Sequence, residues 1–195
     1  MRSDGRRDGR RMPRGIAGFF CAETEKERTG KTMSKQAVIR PVEKRDLRRV
    51  CEIWNEVVLA ANAFPGDEAL DQAQMEQFLK EQTLACCAEE DGEVLGVYIL
   101  HPNNIGRCGH IANASYVVSS SARGKGIGEQ MVRHCLKQLA PHGFTGLQFN
   151  AVVKSNKAAI ALYQKLGFEK IGIIPGGYRS ENGYEDILIF FHEAE

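Results

Sequence analysis

Surplus charge of one sign, long apolar runs and tryptophan are all scarce in this 195-residue chain. Its 26 Lys and Arg face 25 Asp and Glu, a formal net charge of +1, so the basic excess of a dedicated nucleic-acid binder is missing. No stretch free of charged and strongly polar side chains exceeds eight residues, and one of seven, Val94 to Leu100, contains Gly96. A bilayer-spanning helix needs about 20, so no membrane span is expected. The six cysteines, at 21, 51, 86, 87, 108 and 135, form no Cys-x-x-Cys and follow no secretion signal. Several, such as Cys51 and Cys135, lie in apolar periodic segments, where a thiol acts as a small hydrophobe. This usage predicts free thiols in a reducing cytoplasm. A chain of this length can bury roughly 70% of its unfolded surface and requires neither metal nor disulfide to fold.

Composition changes near Met33. Residues 1–32 carry nine Lys and Arg against five Asp and Glu, while the other 163 residues hold 17 basic and 20 acidic side chains. With little to bury, residues 1–33 read as a disordered basic extension and 34–195 as one folded domain. An Arg-rich arm or a transit peptide is the competing reading of that extension.

Beyond Met33, strand and helix patterns alternate. Residues 37–40 read as a strand closed by Pro41. Leu47, Val50, Cys51, Trp54, Val57, Val58 and Ala61 mark one helical face, and 68–81 a second helix after the break Phe64-Pro65-Gly66. Residues 83–88 and 93–100 read as a hairpin around Asp91-Gly92, followed by a strand near 109–119. A helix over 127–139, a strand over 147–153, a helix over 157–166 and strands near 168–174 and 184–191 complete the order βααβββαβαββ. This predicts an α/β (α+β) domain, a mixed sheet flanked by helices.

The most informative stretch is Tyr116-Val117-Val118 followed by Ser119-Ser120-Ser121-Ala122-Arg123-Gly124-Lys125-Gly126-Ile127-Gly128. A β-branched strand enters a glycine-rich turn that opens a helix. The first helical amides lack intrahelical partners and carry partial positive charge, and glycines let a ligand reach them. Arg123 and Lys125 add charge, so the segment reads as a phosphate or pyrophosphate cradle. It is neither a P-loop, which needs GxxxxGK followed by Ser or Thr, nor a GxGxxG dinucleotide fingerprint. A purely structural turn is the alternative.

The run Arg123-x-x-Gly126-x-Gly128 resembles the acyl-CoA-binding motif of the GNAT N-acetyltransferase superfamily. Asn156 and the segment ending Tyr163-Gln-Lys-Leu-Gly167-Phe168 resemble its second signature, and the element order over 36–192 is similar as well. The resemblance implies a mixed, mostly antiparallel central sheet and acetyl-CoA as cosubstrate. It implies that backbone groups of Tyr116, Val117 and Val118 pair with the pantetheine arm, and that amides of Arg123, Gly124, Lys125, Gly126, Ile127 and Gly128 hold the pyrophosphate. Asn156 would touch the cosubstrate near its pantetheine, and Tyr163 would lie near the thioester sulfur. Without that context, Tyr163 reads as a half-buried helix aromatic.

Many members of the superfamily carry a Glu on the central strands. Here strands 109–119 and 147–153 hold no Asp or Glu, and offer His110, Asn113 and Asn150. The wording from Asn103 to Tyr116, with Asn150 and Asn156, is similar to a narrower group: fungal acetyltransferases that detoxify azetidine-2-carboxylate, a proline analogue, and their bacterial relatives. That likeness implies Asn113 and Asn150 as the residues orienting the acceptor. The expected acceptor is a small amine, an amino acid or cyclic imino acid; a protein N-terminus or lysine is the runner-up, and a non-catalytic acyl-CoA sensor the reading from another class. No metal is expected, since His101, Cys108 and His110 lack an evident fourth ligand. A Cys108–His110 nucleophile pair is a further minor reading, and Cys86-Cys87 reads as strand packing. Tyr178 and Arg179, in a glycine-rich loop expected between the last two strands, are further candidates for acceptor contact. No nucleic-acid or membrane partner is expected, and a homodimer is left open.

Overall fold

The computed structural model describes residues 36–60, 68–180 and 183–195. The basic extension and the Phe64-Pro65-Gly66 break lie outside the described residues.

The elements are β1 (Val38–Pro41), α1 (Leu47–Leu59), α2 (Gln72–Lys80), β2 (Leu84–Glu90), β3 (Glu93–Pro102), β4 (Ile111–Val118), α3 (Ile127–Gln138), β5 (Gly146–Val153), α4 (Lys157–Lys165), β6 (Glu169–Ser180) and β7 (Gly183–Glu193). They build a seven-stranded sheet in the order β1-β2-β3-β4-β5-β7-β6, antiparallel except for β4 and β5. The expected order of elements and mixed sheet are both present. Among the described residues, no helix is long and apolar enough to cross a membrane.

Local chemistry sets these boundaries. The β2–β3 hairpin turns at Asp91 and Gly92, with φ of 51° and 83°, the doubly left-handed geometry that a two-residue turn requires. The α2 helix opens on a capping box in which Asp71 and Gln74 satisfy each other's backbone amides. The apolar run in β3 is explained by burial on both faces. Val97 and Ile99 pack with Val117 beneath α1 and α2, while Tyr98 and Leu100 pack with Ala112 and Ala114 beneath α3 and α4.

One expectation fails at the C-terminal hairpin. The sequence predicts a loop over 175–183, yet β6 continues to Ser180, with Tyr178 opposite Glu185 and Arg179 opposite Tyr184. A register shift between Ile174 and Tyr178 absorbs the Pro-Gly-Gly interruption. Gly177 makes this possible, because a Cβ there would sit 2.6 Å from Cγ1 of Ile187. The glycine serves close strand approach, not loop freedom.

The sheet opens between its two parallel strands. Only Ile111 with Gly146 and Ala112 with Leu147 are paired before β4 and β5 diverge, and β5 shifts register against β7 between Phe149 and Val152. Among the described residues, β4 from Asn113 onward pairs with β3 on one side and with no strand on the other.

Candidate active site

The opening is a cleft through the sheet. Its inner part, about 360 Å³, is lined by Asn113, Tyr116, Phe149, Asn150, Asn156 and Tyr163, among others. A second hollow of about 530 Å³ shares Tyr116, Val118 and Asn156, and adds Val117, Arg123 and Lys157. Backbone donors and acceptors along the open edge of β4 therefore lie beside a continuous cleft, the setting in which an extended ligand adds to a sheet as a strand would.

At the end of β4, Ser119 donates its amide to Leu95 O at 2.8 Å, and a 3-10 turn over Ser120–Ala122 leads to Arg123. Gly124 and Gly126 then adopt left-handed backbone, φ +77° and +79°, the second as N-cap of α3. Built Cβ atoms at both would meet nothing within 4 Å, so backbone conformation rather than crowding demands glycine there. The first α-helical bond runs from Gln130 N to Gly126 O at 3.1 Å, and no side chain among the described residues caps the helix. The amides of Ile127, Gly128 and Glu129 thus precede the ladder and face outward at the positive end of the helix dipole. The carboxylate of Glu129 is turned to Arg133 and Lys165, at 2.9 and 2.6 Å.

The predicted catalytic residues occupy both faces of the sheet. Tyr163, from α4, packs its ring against Phe149, Phe168 and Phe190, with centroids 4.4, 5.4 and 5.9 Å away. Burial raises its phenol above the ordinary tyrosine range, so it holds its proton at neutral pH. The phenol of Tyr116, beside the Cys135 thiol, is likewise pushed well up by burial.

Asn113 projects the other way. Ala112, Ala114, Tyr116 and Val118 belong to the core beneath α3 and α4, so strand alternation puts Asn113 and Ser115 on the Val117 face. Asn150 follows Phe149 and lies opposite the aromatic cluster, where its Oδ1 accepts from Gln148 Nε2 at 2.8 Å and its Nδ2 donates to Asn103 Oδ1 at 2.5 Å. Both asparagines line the same cavity as Tyr163. Asn156, N-cap of α4, accepts from Ala159 N at 3.2 Å through Oδ1; its Nδ2 has no hydrogen bond among the described residues.

Among the described lining residues of the inner cavity there is no Asp, Glu, Lys, Arg or His. A carboxamide can donate and accept hydrogen bonds but cannot serve as a general base near neutral pH. Tyr178 and Arg179 line neither part of the cleft among the described residues. His101 and His110 each engage a backbone carbonyl through Nδ1, that of Pro102 at 2.9 Å and that of Arg107 at 3.0 Å. Among the described residues no group of His, Cys, Asp and Glu is arranged to hold a metal. Cys86 and Cys87 are buried free thiols in β2, as their apolar setting suggested. Sequence reasoning did not find the Asn103–Asn150–Gln148 chain. Gln148 and Asn150 at strand spacing were visible, but the reach of Asn103 across the opening was not.

Residues 47–168 match the family model described as the acetyltransferase (GNAT) family. The N-acetyltransferase aca1 of Schizosaccharomyces pombe is 37% identical over 99 residues, spanning 50% of this chain and 47% of that protein, so the alignment covers less than half of its relative. Among solved structures, a GCN5-related N-acetyltransferase from Kribbella flavida superposes with a TM-score of 0.75 at 29% identity, covering 81% of this chain and 98% of that one. A GNAT superfamily phosphinothricin acetyltransferase from Sinorhizobium meliloti, solved with acetyl-CoA, gives 0.77 at 23% identity over 82% and 89% of the two chains.

Proposed function

The chain belongs to the acetyltransferase (GNAT) family, and from that membership we propose that it transfers the acetyl group of acetyl-CoA to the nitrogen of a small amine, an amino acid or cyclic imino acid such as a proline analogue. The observation that carries this reading is the unpaired edge of β4 running directly into the uncapped, glycine-opened start of α3. An extended arm with a pyrophosphate at one end fits both features together, and the phosphinothricin acetyltransferase solved with acetyl-CoA supports that choice of ligand.

Acetyl-CoA supplies the activated acetyl group as a thioester. In this reading the backbone of Tyr116–Val118 holds the pantetheine as an added strand, and the amides from Arg123 through Gly128 hold the pyrophosphate. The Nδ2 of Asn156 meets the arm near its reactive end. Asn113 and Asn150 receive the acceptor from the opposite face of the sheet, donating to its carboxylate and accepting from its amine. Attack on the thioester carbonyl forms the C–N bond and breaks the C–S bond. The phenol of Tyr163, kept protonated by burial, gives its proton to the departing sulfur. With no carboxylate or imidazole lining the inner cavity among the described residues, the amine proton leaves through water on the Asn113 side.

A neutral, carboxamide-lined cavity favours a net-neutral zwitterion over a polycation, which would seek carboxylates. Thiol release from acetyl-CoA across a panel of amino acids, proline, azetidine-2-carboxylate, polyamines and short peptides tests the reading. Turnover with the amino or imino acids is expected. Turnover confined to peptides would replace the acceptor assignment, and binding of acetyl-CoA without turnover across the panel would leave an acyl-CoA-binding module.

A further inference from the structure

The backbone ladder between β4 and β5 ends at Ala112 and Leu147. Close to that point, side chains tie the two sides together. Asn103, just beyond β3, is anchored by its own amide to Ile111 O at 2.8 Å. Its side-chain oxygen accepts from Nδ2 of Asn150 on β5 at 2.5 Å, and Gln148 donates to Oδ1 of Asn150 at 2.8 Å. Three carboxamides thus form one chain across the closed end of the cleft.

A primary amide has two N–H donors and two oxygen lone pairs. The two bonds to Asn150 use one of each, leaving one N–H and one lone pair for the cavity that this residue lines. They also fix the rotation of its amide plane. Asn150 is otherwise exposed on its strand and free to turn. A freely turning carboxamide loses rotamer entropy whenever it binds, and it presents its donor in the wrong place for much of the time.

We propose that Asn103 is a positioning residue of the acceptor site. It acts through Asn150, holding that carboxamide so that its remaining N–H meets the acceptor's carboxylate and its remaining lone pair meets the amine. This rests on the acceptor role proposed above for Asn150. Asn103 need not touch the reacting atoms.

The test is a double-mutant cycle of Asn103→Leu and Asn150→Ala in the full chain, assayed with acetyl-CoA and the fastest amine of the panel. Asn103→Leu should lower kcat/KM for the acceptor about tenfold, the effect of losing one positioned hydrogen bond, while leaving KM for acetyl-CoA and the thermal midpoint unchanged. In the Asn150→Ala background the same substitution should cost nothing further, since the residue through which it acts is gone. An acceptor-independent reading comes from the side-chain amide resonances of Asn150, identified by their loss in Asn150→Ala; they should shift in Asn103→Leu. Multiplicative losses in the double variant, or unmoved Asn150 resonances, would overturn the proposal. So would full acceptor turnover by Asn103→Leu where Asn150→Ala is impaired, and that result would leave the acceptor site standing. Full turnover by Asn150→Ala would instead remove the acceptor assignment, and this inference with it.

Discussion

Gly126 and Gly143 form a matched pair for testing the amide cradle. Gly126 is the N-cap of α3 and Gly143 ends the short 3-10 turn, Ala140–His142, that follows this helix, with φ of +79° and +81°; the 12 residues of α3, roughly 18 Å of helix, lie between them. A Cβ at either position would meet nothing within 4 Å. Alanine at either therefore carries the same penalty, left-handed backbone for an L residue, about 1–2 kcal/mol. For a domain of this size each variant should lose about 2–8 °C of thermal midpoint, and the two losses should agree. Their ligand consequences should not agree. Gly143 closes a turn by donating to Ala140 O at 3.0 Å, whereas Gly126 opens onto the amides of Ile127, Gly128 and Glu129. A methyl group there displaces a phosphate from donors whose charge-assisted hydrogen bonds are worth about 1.5–3 kcal/mol each. Losing one weakens acetyl-CoA by roughly 10- to 150-fold. Titration calorimetry with acetyl-CoA should show that loss in Gly126→Ala and wild-type affinity in Gly143→Ala. Equal affinities in the two variants would show that stability alone was perturbed, and the cradle argument would fail.

How much of this was legible in the sequence differs from element to element. Helix α1 was written in its spacing, because Val50, Cys51, Trp54, Val57 and Val58 all face one core. The glycine-opened start of α3 was legible because strand, glycine turn and helix start are local and contiguous. The C-terminal hairpin was misread at its bulge because glycine and proline mark a loop and a register shift alike. Only the close approach of Gly177 to Ile187, ten residues away, separates the two. Asn113 and Asn150 were named from resemblance, yet their sharing of one cavity follows from a property that no local pattern records: where β4 and β5 cease to pair. The partners of Asn150 belong to the same class of fact. Asn103 lies 47 positions away, and contact at that separation is set by the sheet order.

Three further outcomes follow from the same geometry. Tyr163→Phe should lower kcat about a hundredfold, the scale of a lost general acid, with the thermal midpoint nearly unchanged because the ring keeps its packing on Phe149, Phe168 and Phe190; an unchanged kcat would remove the proton-donor role. Burial raises the phenols of Tyr98, Tyr116 and Tyr163 above their unfolded values, so their contribution is complete below about pH 10 and is lost as pH rises towards the folded values. Phenolate absorbance at 295 nm should therefore appear together with alkaline unfolding, and ionisation of all three near pH 10 in a folded protein would contradict their burial. The Arg40 cluster makes the strongest stability prediction. The guanidinium donates to both carboxylate oxygens of Asp46, at 2.6 and 2.9 Å, and Nε donates to Glu89 at 2.7 Å; Asp46 is only 5% exposed. This pairing holds the Asp46 carboxyl below its usual range, so its stabilisation is present above the ordinary carboxylate pKa and lost as pH falls through the depressed value. Arg40→Met leaves a buried carboxylate without its cation, at a cost of about 3–5 kcal/mol. Desolvation is then the largest remaining influence on Asp46, ahead of the Glu43 amide at 2.8 Å and Arg45 at 3.9 Å, and the pKa moves upward. From neutral pH towards 5, the variant should recover part of its lost stability while the wild type gains none. Denaturant midpoints measured for both proteins across that interval should converge; parallel curves would mean that Asp46 had found another partner, or that the cluster never governed its charge.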